Sequence, residues 1–371
     1  MSDPRIPVSA PVLGDEELAN VVEAVRSGWI SSKGAFIGEF ERLFAAFCGV
    51  RHGIAVANGT VALHIALLAA GVRPGDEVLV PSLTFVATAN VVRYCGATPV
   101  FVDSDRATWQ LDAGLLEAKV TPRTRAIIPV HLYGHPCDMD PMLELARRHG
   151  LAVIEDAAEA HGAHYRGRIV GGLGAVGCFS FYGNKLITTG EGGICVTDDA
   201  ALAERMRLLR DHGMDPKRPY WHETIGFNYR MTNLQAAVGV AQMGKLQGFI
   251  EKKREIAGWY REALAPLARA GRITLHPEAS WARSVFWMYS VLLGDGRLSL
   301  DEVRGRLDDR GIDSRPFFHP LHTLPPYATG ERFPVAEELA ACGLNLPSGV
   351  GLERGQVERV ARGLAQALET A

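Results

Sequence analysis

The sequence contains no CxxC pair, and its six cysteines, Cys48, Cys95, Cys137, Cys178, Cys195 and Cys342, are scattered. Each lies among apolar residues or in a strand-like run. They read as buried free thiols of a reducing cytoplasm, not as a disulfide framework. No apolar run approaches the length of a membrane span. The leading MSDPRIPVSAPVL lacks a basic flank followed by an apolar core, so no secretory leader is expected. A basic excess is missing too: the formal net charge of −3 argues against a general nucleic-acid binder. No basic helix-turn-helix region accompanies the domain, which argues against a ligand-sensing regulator. Internal repeats, low-complexity tracts and long charge blocks are also absent.

What is present describes a globular protein. At 371 residues, 47% apolar and 22% charged, the chain exceeds one ordinary core, so a large and a smaller domain are expected. From about residue 50, short solidly apolar β-branched runs alternate with helical ones. HGIAVAN leads into TVALHIALLAAG, DEVLVP into FVATANVVRYCG, and TPVFVD into LDAGLLEAKV. RAIIPVHLY then precedes the helix DPMLELARRHG, followed by LAVIEDAA. Strands of this kind are covered on both faces and joined by helical crossovers, which implies an α/β domain with a mostly parallel sheet. After about residue 245 the texture changes to a long charged helix, the strand SVFWMYSVLL, the helix SLDEVRGRLDDRG and the Pro-rich SRPFFHPLHTLPPY. Residues 1–245 therefore read as the large α/β domain and 246–371 as a smaller C-terminal α+β domain.

The chemistry concentrates in CFSFYGNKLITTGEGGICVTDD, residues 178–199, where Lys185 stands in a glycine-rich turn between two apolar strands. A lysine there must snorkel or be neutralised, and a neutral amine is a nucleophile able to condense with a carbonyl. In open α/β sheets ligands bind at the carboxyl ends of the strands. Asp156 ends one strand, and the turn Asn58-Gly59-Thr60 joins a strand to a helix. Each alone reads equally as a turn or cap. Together with Ser180 they suit one ligand: a phosphate near Gly59, Thr60 and Ser180, a carbonyl carbon at Lys185, and a pyridine nitrogen kept protonated by Asp156. That ligand is pyridoxal 5′-phosphate. Phe85, in SLTFVATAN, is placed to stack on its ring.

The motifs NGTVALHIAL, PSLTFVATAN, VIEDAAEAHGA, SFYGNKLITTGEGG and GFNYRMTNLQAA resemble the DegT/DnrJ/EryC1/StrS sugar aminotransferases, nearly end to end. The resemblance implies the aspartate-aminotransferase-like architecture, fold type I. Lys185 matches the lysine that holds the cofactor, which alternates between pyridoxal and pyridoxamine phosphate. Asp156 matches the partner of the pyridine nitrogen, and Glu159 a position beside the ring hydroxyl. Gly59, Thr60 and Ser180 match phosphate ligands, and Phe85 the stacking aromatic. Asn228, in GFNYRM, matches a residue reaching the phosphate from the neighbouring subunit, which implies a homodimer with shared active sites. Relatives with histidine in place of the lysine are sugar 3-dehydratases, so Lys185 favours amino transfer. Glu159 departs from the Gln or His of many relatives, and a carboxylate beside a phenolate oxygen needs a shared proton.

GWISSKG, PVHLYGHPCDMDP, HGMDP, FWMYSV and SRPFFHPLH resemble the branch that aminates the 4-keto carbon of GDP-4-keto-6-deoxy-D-mannose, with L-glutamate as donor. UDP- or dTDP-linked keto sugars are the alternative acceptors, and sugar 3-dehydration the alternative reaction. Arg315 and His319 are candidates for the diphosphate and the sugar, Trp29, Ser31 and Ser32 for the pocket wall, and His161 for the reacting sugar carbon. The polar cluster His131, His135, Cys137, Asp138 and Asp140 offers ligand types for zinc or iron but lacks a recognised ligand spacing. It reads as a turn and a helix start, and no metal is expected.

Overall fold

The structure is a computed structural model describing residues 4–294, 296 and 298–369. Two N-terminal helices, α1 (Asp15–Arg26) and α2 (Ala35–Cys48), precede the alternating region. That region runs β1 (His52–Val56), α3 (Gly59–Ala69), β2 (Glu77–Pro81), α4 (Ala87–Tyr94), β3 (Thr98–Val102), β4 (Thr124–Ile127), α5 (Met139–His149) and β5 (Ala152–Asp156). A short hairpin, β6 (His164–Tyr165) and β7 (Arg168–Ile169), leads to β8 (Val176–Ser180), β9 (Gly193–Thr197) and α6 (Ala200–Arg210). The seven-stranded sheet has the order β1-β9-β8-β5-β4-β2-β3, and only β9 runs against the rest. Ile54 and Val56 enter one apolar core and Ala55 the other, as do Val78 and Val80 against Leu79. This two-sided burial is why the strands lack polar alternation.

The helix expected over 111–120 is instead two short 3-10 turns, Ala113–Leu115 and Glu117–Lys119. Asp112 takes the Gly114 amide at 2.8 Å, a local bond that competes with helix propagation. The expected strand 284–293 is shortened to Tyr289–Leu293.

The long helix α7 (Asn233–Arg269) has 37 residues and spans about 55 Å. Thr232 caps it reciprocally with Gln235. It runs unbroken through residues 245 and 246, so the expected division falls inside a helix shared by both cores. Beyond it lie β10 (Ile273–Leu275), β11 (Ala282–Arg283), β12 (Tyr289–Leu293), α8 (Leu300–Asp308), β13 (Arg315–Pro316), α9 (Pro334–Cys342), β14 (Gly343–Leu346) and α10 (Arg354–Leu368). β10-β12-β14-β13 form an antiparallel sheet. Its core takes Ile256, Tyr260 and Leu264 from α7 and Ile6 from the N-terminus. The domain is α+β, with an N-terminal strap. Among the described residues no helix is long and apolar enough to cross a membrane.

Candidate active site

β5 and β8 are parallel neighbours, with Asp156 opposite Cys178. Their carboxyl ends therefore bring Asp156 and Ser180 side by side. Gly193 on β9 pairs with Ser180 on one side and Val56 on the other. A β-carbon at Gly193 would stand 2.4 Å from the Asn58 carbonyl carbon and oxygen, so only glycine lets the 57–60 turn lie over β9. Asn58 caps α3 by accepting the Val61 amide at 3.0 Å, and the first amides of the helix make its end positive. A β-carbon at Gly59 would meet Ser180 Cβ at 2.8 Å and Oγ at 3.3 Å. The turn, the helix start and the serine hydroxyl thus form one small cradle with the chemistry of a phosphate site. Gly59→Ala is expected to press on Ser180, lower the melting temperature and weaken cofactor retention at least tenfold beyond the loss of folded protein, measured by dialysis and absorbance beside a thermal melt.

Asp156 is buried. Its Oδ2 accepts the Thr88 hydroxyl at 2.9 Å and its Oδ1 the Ala158 amide at 3.2 Å. Burial raises its pKa, with Thr88, Ala158 and Lys185 pulling the other way. A buried carboxylate under that strain gains most from an adjacent cation. Lys185 is largely buried, and burial lowers its pKa against the charges of Glu159 and Asp156. Its Nζ lies 3.7 Å from Glu159 Oε1 and 4.0 Å from the centre of the Trp287 ring. The indole nitrogen of Trp287 donates to the Asn184 carbonyl at 2.9 Å, which fixes the chain beside Lys185. An amine biased by burial toward its neutral form, a buried carboxylate that an adjacent cation would stabilise and a phosphate cradle fit a phosphorylated pyridine aldehyde.

Residues 11–365 match the DegT/DnrJ/EryC1/StrS aminotransferase family. The chain belongs to that family. It is 55% identical to the GDP-perosamine synthase of Caulobacter vibrioides over 99% of this chain and 100% of that one. It superposes on S. venezuelae DesV, solved in complex with a ketimine intermediate, with TM-score 0.91 and 40% identity over 99% of this chain and 100% of that one. The PLP form of Spr1654 from Streptococcus pneumoniae gives TM-score 0.91 at 26% identity, covering 98% of each chain. The fold of this aminotransferase is fold type I.

Glu159 faces Lys185. It is buried, and Oε2 accepts the Tyr133 amide at 2.8 Å. Burial pushes its pKa up to about 7, with Lys185 opposing. At 3.7 Å the contact with Lys185 is too long for a strong charged bond, so burial biases both groups toward their neutral forms. The acid's folded pKa exceeds its unfolded value near 4.5, so its contribution to stability is present at low pH and lost as pH rises through about 7. Removing the carboxylate also lowers the Lys185 pKa further, an effect of the same sign. Between pH 5 and 8 the cofactor-free wild type is expected to lose on the order of 2 kcal/mol relative to Glu159→Gln. Paired thermal melts at the two pH values check this; parallel curves would refute it.

His161, the candidate for the reacting sugar carbon, is fully buried among Phe44, Phe179 and Phe181, and neither ring nitrogen has a hydrogen-bond partner among the described residues. Burial, then Lys185, pushes its pKa down to about 3, against a weaker pull from the Ser180 backbone. It fills an aromatic cage.

Phe85 is 54% exposed, with its ring 5.7 Å from that of Phe318. This contact brings the 315–319 segment against the loop before α4. Arg315 and His319 on that segment are exposed, and Arg315 pairs with Asp313 at 3.3 Å. Trp29 and Ser31 are exposed and Ser32 half-buried. Asn233 holds their loop through the Trp29 and Ser31 carbonyls, at 2.6 and 2.7 Å. Asn228 is exposed and accepts the Arg230 guanidinium at 2.8 Å. Within the 131–140 cluster, His131 bonds Glu155 at 3.1 Å and the Cys137 amide at 3.0 Å, and Asp138 accepts the Tyr165 hydroxyl at 2.7 Å. These bonds give the cluster a folding role. Thr88, Tyr133 and Trp287 were not singled out from sequence, although each sits in a motif noted above; only their contacts give them roles.

Proposed function

We propose that this chain transfers the amino group of L-glutamate to the 4-keto carbon of GDP-4-keto-6-deoxy-D-mannose, giving GDP-perosamine, with pyridoxal 5′-phosphate as cofactor. The observation that carries it is the convergence of Lys185, Asp156 and the Gly59–Ser180 cradle at adjacent strand ends. The named relative at 55% identity supports the choice of sugar. When bound, pyridoxal phosphate supplies an aldehyde for amines and a ring that takes up electrons as the bond from carbon to the α-hydrogen breaks.

The chain's own residues do the rest. Gly59, Thr60 and Ser180 bind the phosphate, and Phe85 covers one ring face. Asp156 holds a proton on the ring nitrogen, oriented by Thr88 and the Ala158 amide. Burial biases Lys185 Nζ toward its neutral form, which suits it to take the donor's α-proton and return it, serving as base and then acid. Glu159, whose pKa burial raises to about 7, is about half protonated near neutral pH and so can share a proton beside the ring hydroxyl. Arg315 binds the diphosphate, and His319, Trp29, Ser31 and Ser32 line the sugar-nucleotide pocket.

The working unit is a homodimer. Leu18, Val25, Trp29, Ile30, Tyr220 and Ile225 are 62%, 57%, 57%, 49%, 90% and 87% exposed in the single chain, apolar area that a second copy would cover. In that arrangement Asn228 serves the neighbouring subunit's phosphate site.

The test is spectroscopic. Glutamate should bleach the yellow protein, and of GDP-, UDP- and dTDP-linked 4-keto sugars only the first should restore the colour. Recovery with another nucleotide would move the assignment to it, and a 3-deoxy product without nitrogen would replace transfer by dehydration.

A further inference from the structure

Tyr133 is fully buried and holds a φ of +54°, a left-handed conformation that a tyrosine seldom adopts. Its two polar ends point to different parts of the site. The backbone amide donates to Glu159 Oε2 at 2.8 Å. The phenol oxygen accepts the Phe318 amide at 3.2 Å. Between these ends the ring lies nearly parallel to two others, Trp287 at 6.4 Å and 13° and Phe318 at 5.6 Å and 22°. Trp287 carries Lys185 Nζ on its face, and Phe318 touches Phe85. Tyr133 therefore stands in the middle of an aromatic row that begins at the lysine and ends at Phe85.

The left-handed backbone has a geometric cause. Gly134 follows at φ +94°, where a β-carbon would meet the Trp287 amide nitrogen at 2.7 Å. The Gly134 carbonyl accepts the Val285 amide at 3.0 Å and the Ser284 hydroxyl at 3.0 Å. The 131–134 turn is pressed against 284–287, which aims the Tyr133 amide at Glu159 and its phenol across the domain boundary. A surrounding structure that over-determines a strained residue preserves it where its placement is used.

We propose that Tyr133 is the positioning residue that ties the 315–319 segment to the carboxyl facing Lys185. This rests on the reading above that Arg315 and His319 meet the nucleotide sugar. The phenol oxygen fixes the Phe318 amide, and so the strand of chain between Arg315 and His319, before ligand arrives. Preorganisation of this kind lowers the ordering that binding requires.

Tyr133→Phe separates the two ends, because it removes the hydroxyl and keeps the ring and the amide. Calorimetric titration of GDP into the holoenzyme is expected to show about tenfold weaker binding, with KM for the sugar nucleotide raised in proportion. Bleaching by glutamate should stay within twofold of wild type, since the amide on Glu159 is untouched. Unchanged GDP affinity, or an equal fall in both half-reactions, would overturn the proposal. If wild type is bleached by glutamate yet ignores GDP, the nucleotide assignment is at fault, and the same comparison is made with UDP and dTDP. Should Tyr133→Phe fail to fold, hydrogen exchange at the Phe318 amide of the wild-type holoenzyme tests the same bond: slow exchange before GDP is added is expected, and exchange at the free-chain rate until GDP binds would sink the idea.

Discussion

A Lys185→Ala protein is expected to turn over at least about ten-thousandfold more slowly than wild type, while still retaining cofactor through the phosphate cradle. Two functions are lost together, since in the proposed reaction the same amine holds the cofactor's carbonyl carbon and moves the proton. No neighbour can replace it. Glu159 Oε1, at 3.7 Å, is a carboxyl biased toward its neutral form, and His161 is enclosed by Phe44, Phe179 and Phe181. The fold should survive: burial makes the ammonium unfavourable, so its removal costs packing and not a strong ion pair. The checks are steady-state rates, the absence of the lysine-dependent yellow absorbance, and a melting curve near that of wild type. Residual turnover within a hundredfold of wild type would remove Lys185 from the centre of the chemistry.

The parts of this site legible in the sequence are those fixed by strand ends. Asp156 and Ser180 end apolar runs, and Gly59 and Lys185 lie in the turns that follow such runs. Knowing that a parallel sheet gathers its strand ends on one edge was enough to bring these residues together. The parts that were not legible depend on contacts between distant segments. Thr88 sits in the first turn of α4, and nothing in SLTFVATAN says that this threonine, and not Thr84, reaches Asp156. Trp287 is an aromatic in an apolar run until the packing of its ring under Lys185 is seen. The burial of His161 was not legible either: EAHGAH reads as polar, yet the ring enters the core just before Gly162, at φ +82°. Domain division followed the same rule. The composition shift near 245 falls inside α7, which still gives Leu246 and Ile250 to the first core and gives Ile256, Tyr260 and Leu264 to the second, and composition does not show where a helix changes cores.

Asp156→Asn should separate stability from activity, moving them in opposite directions. The carboxylate is buried, and burial raises its pKa even with Thr88 and Ala158 donating to it. In the cofactor-free protein near neutral pH, an asparagine of the same shape removes that cost, so the melting temperature should hold or rise. With cofactor bound the balance reverses. The ring nitrogen loses the anion that keeps it protonated, and an amide presents either a neutral oxygen or an N–H that repels the ring N–H. A ring whose nitrogen is no longer held protonated is a poorer electron sink as the carbon–hydrogen bond breaks, which predicts a fall in kcat of roughly two to four orders of magnitude at saturating glutamate. Cofactor retention should fall much less, because the Gly59–Ser180 cradle is unchanged. A variant that melts lower and loses activity only in step with its folded fraction would make Asp156 a structural residue. One that keeps kcat within tenfold of wild type would deny that any cation is held there.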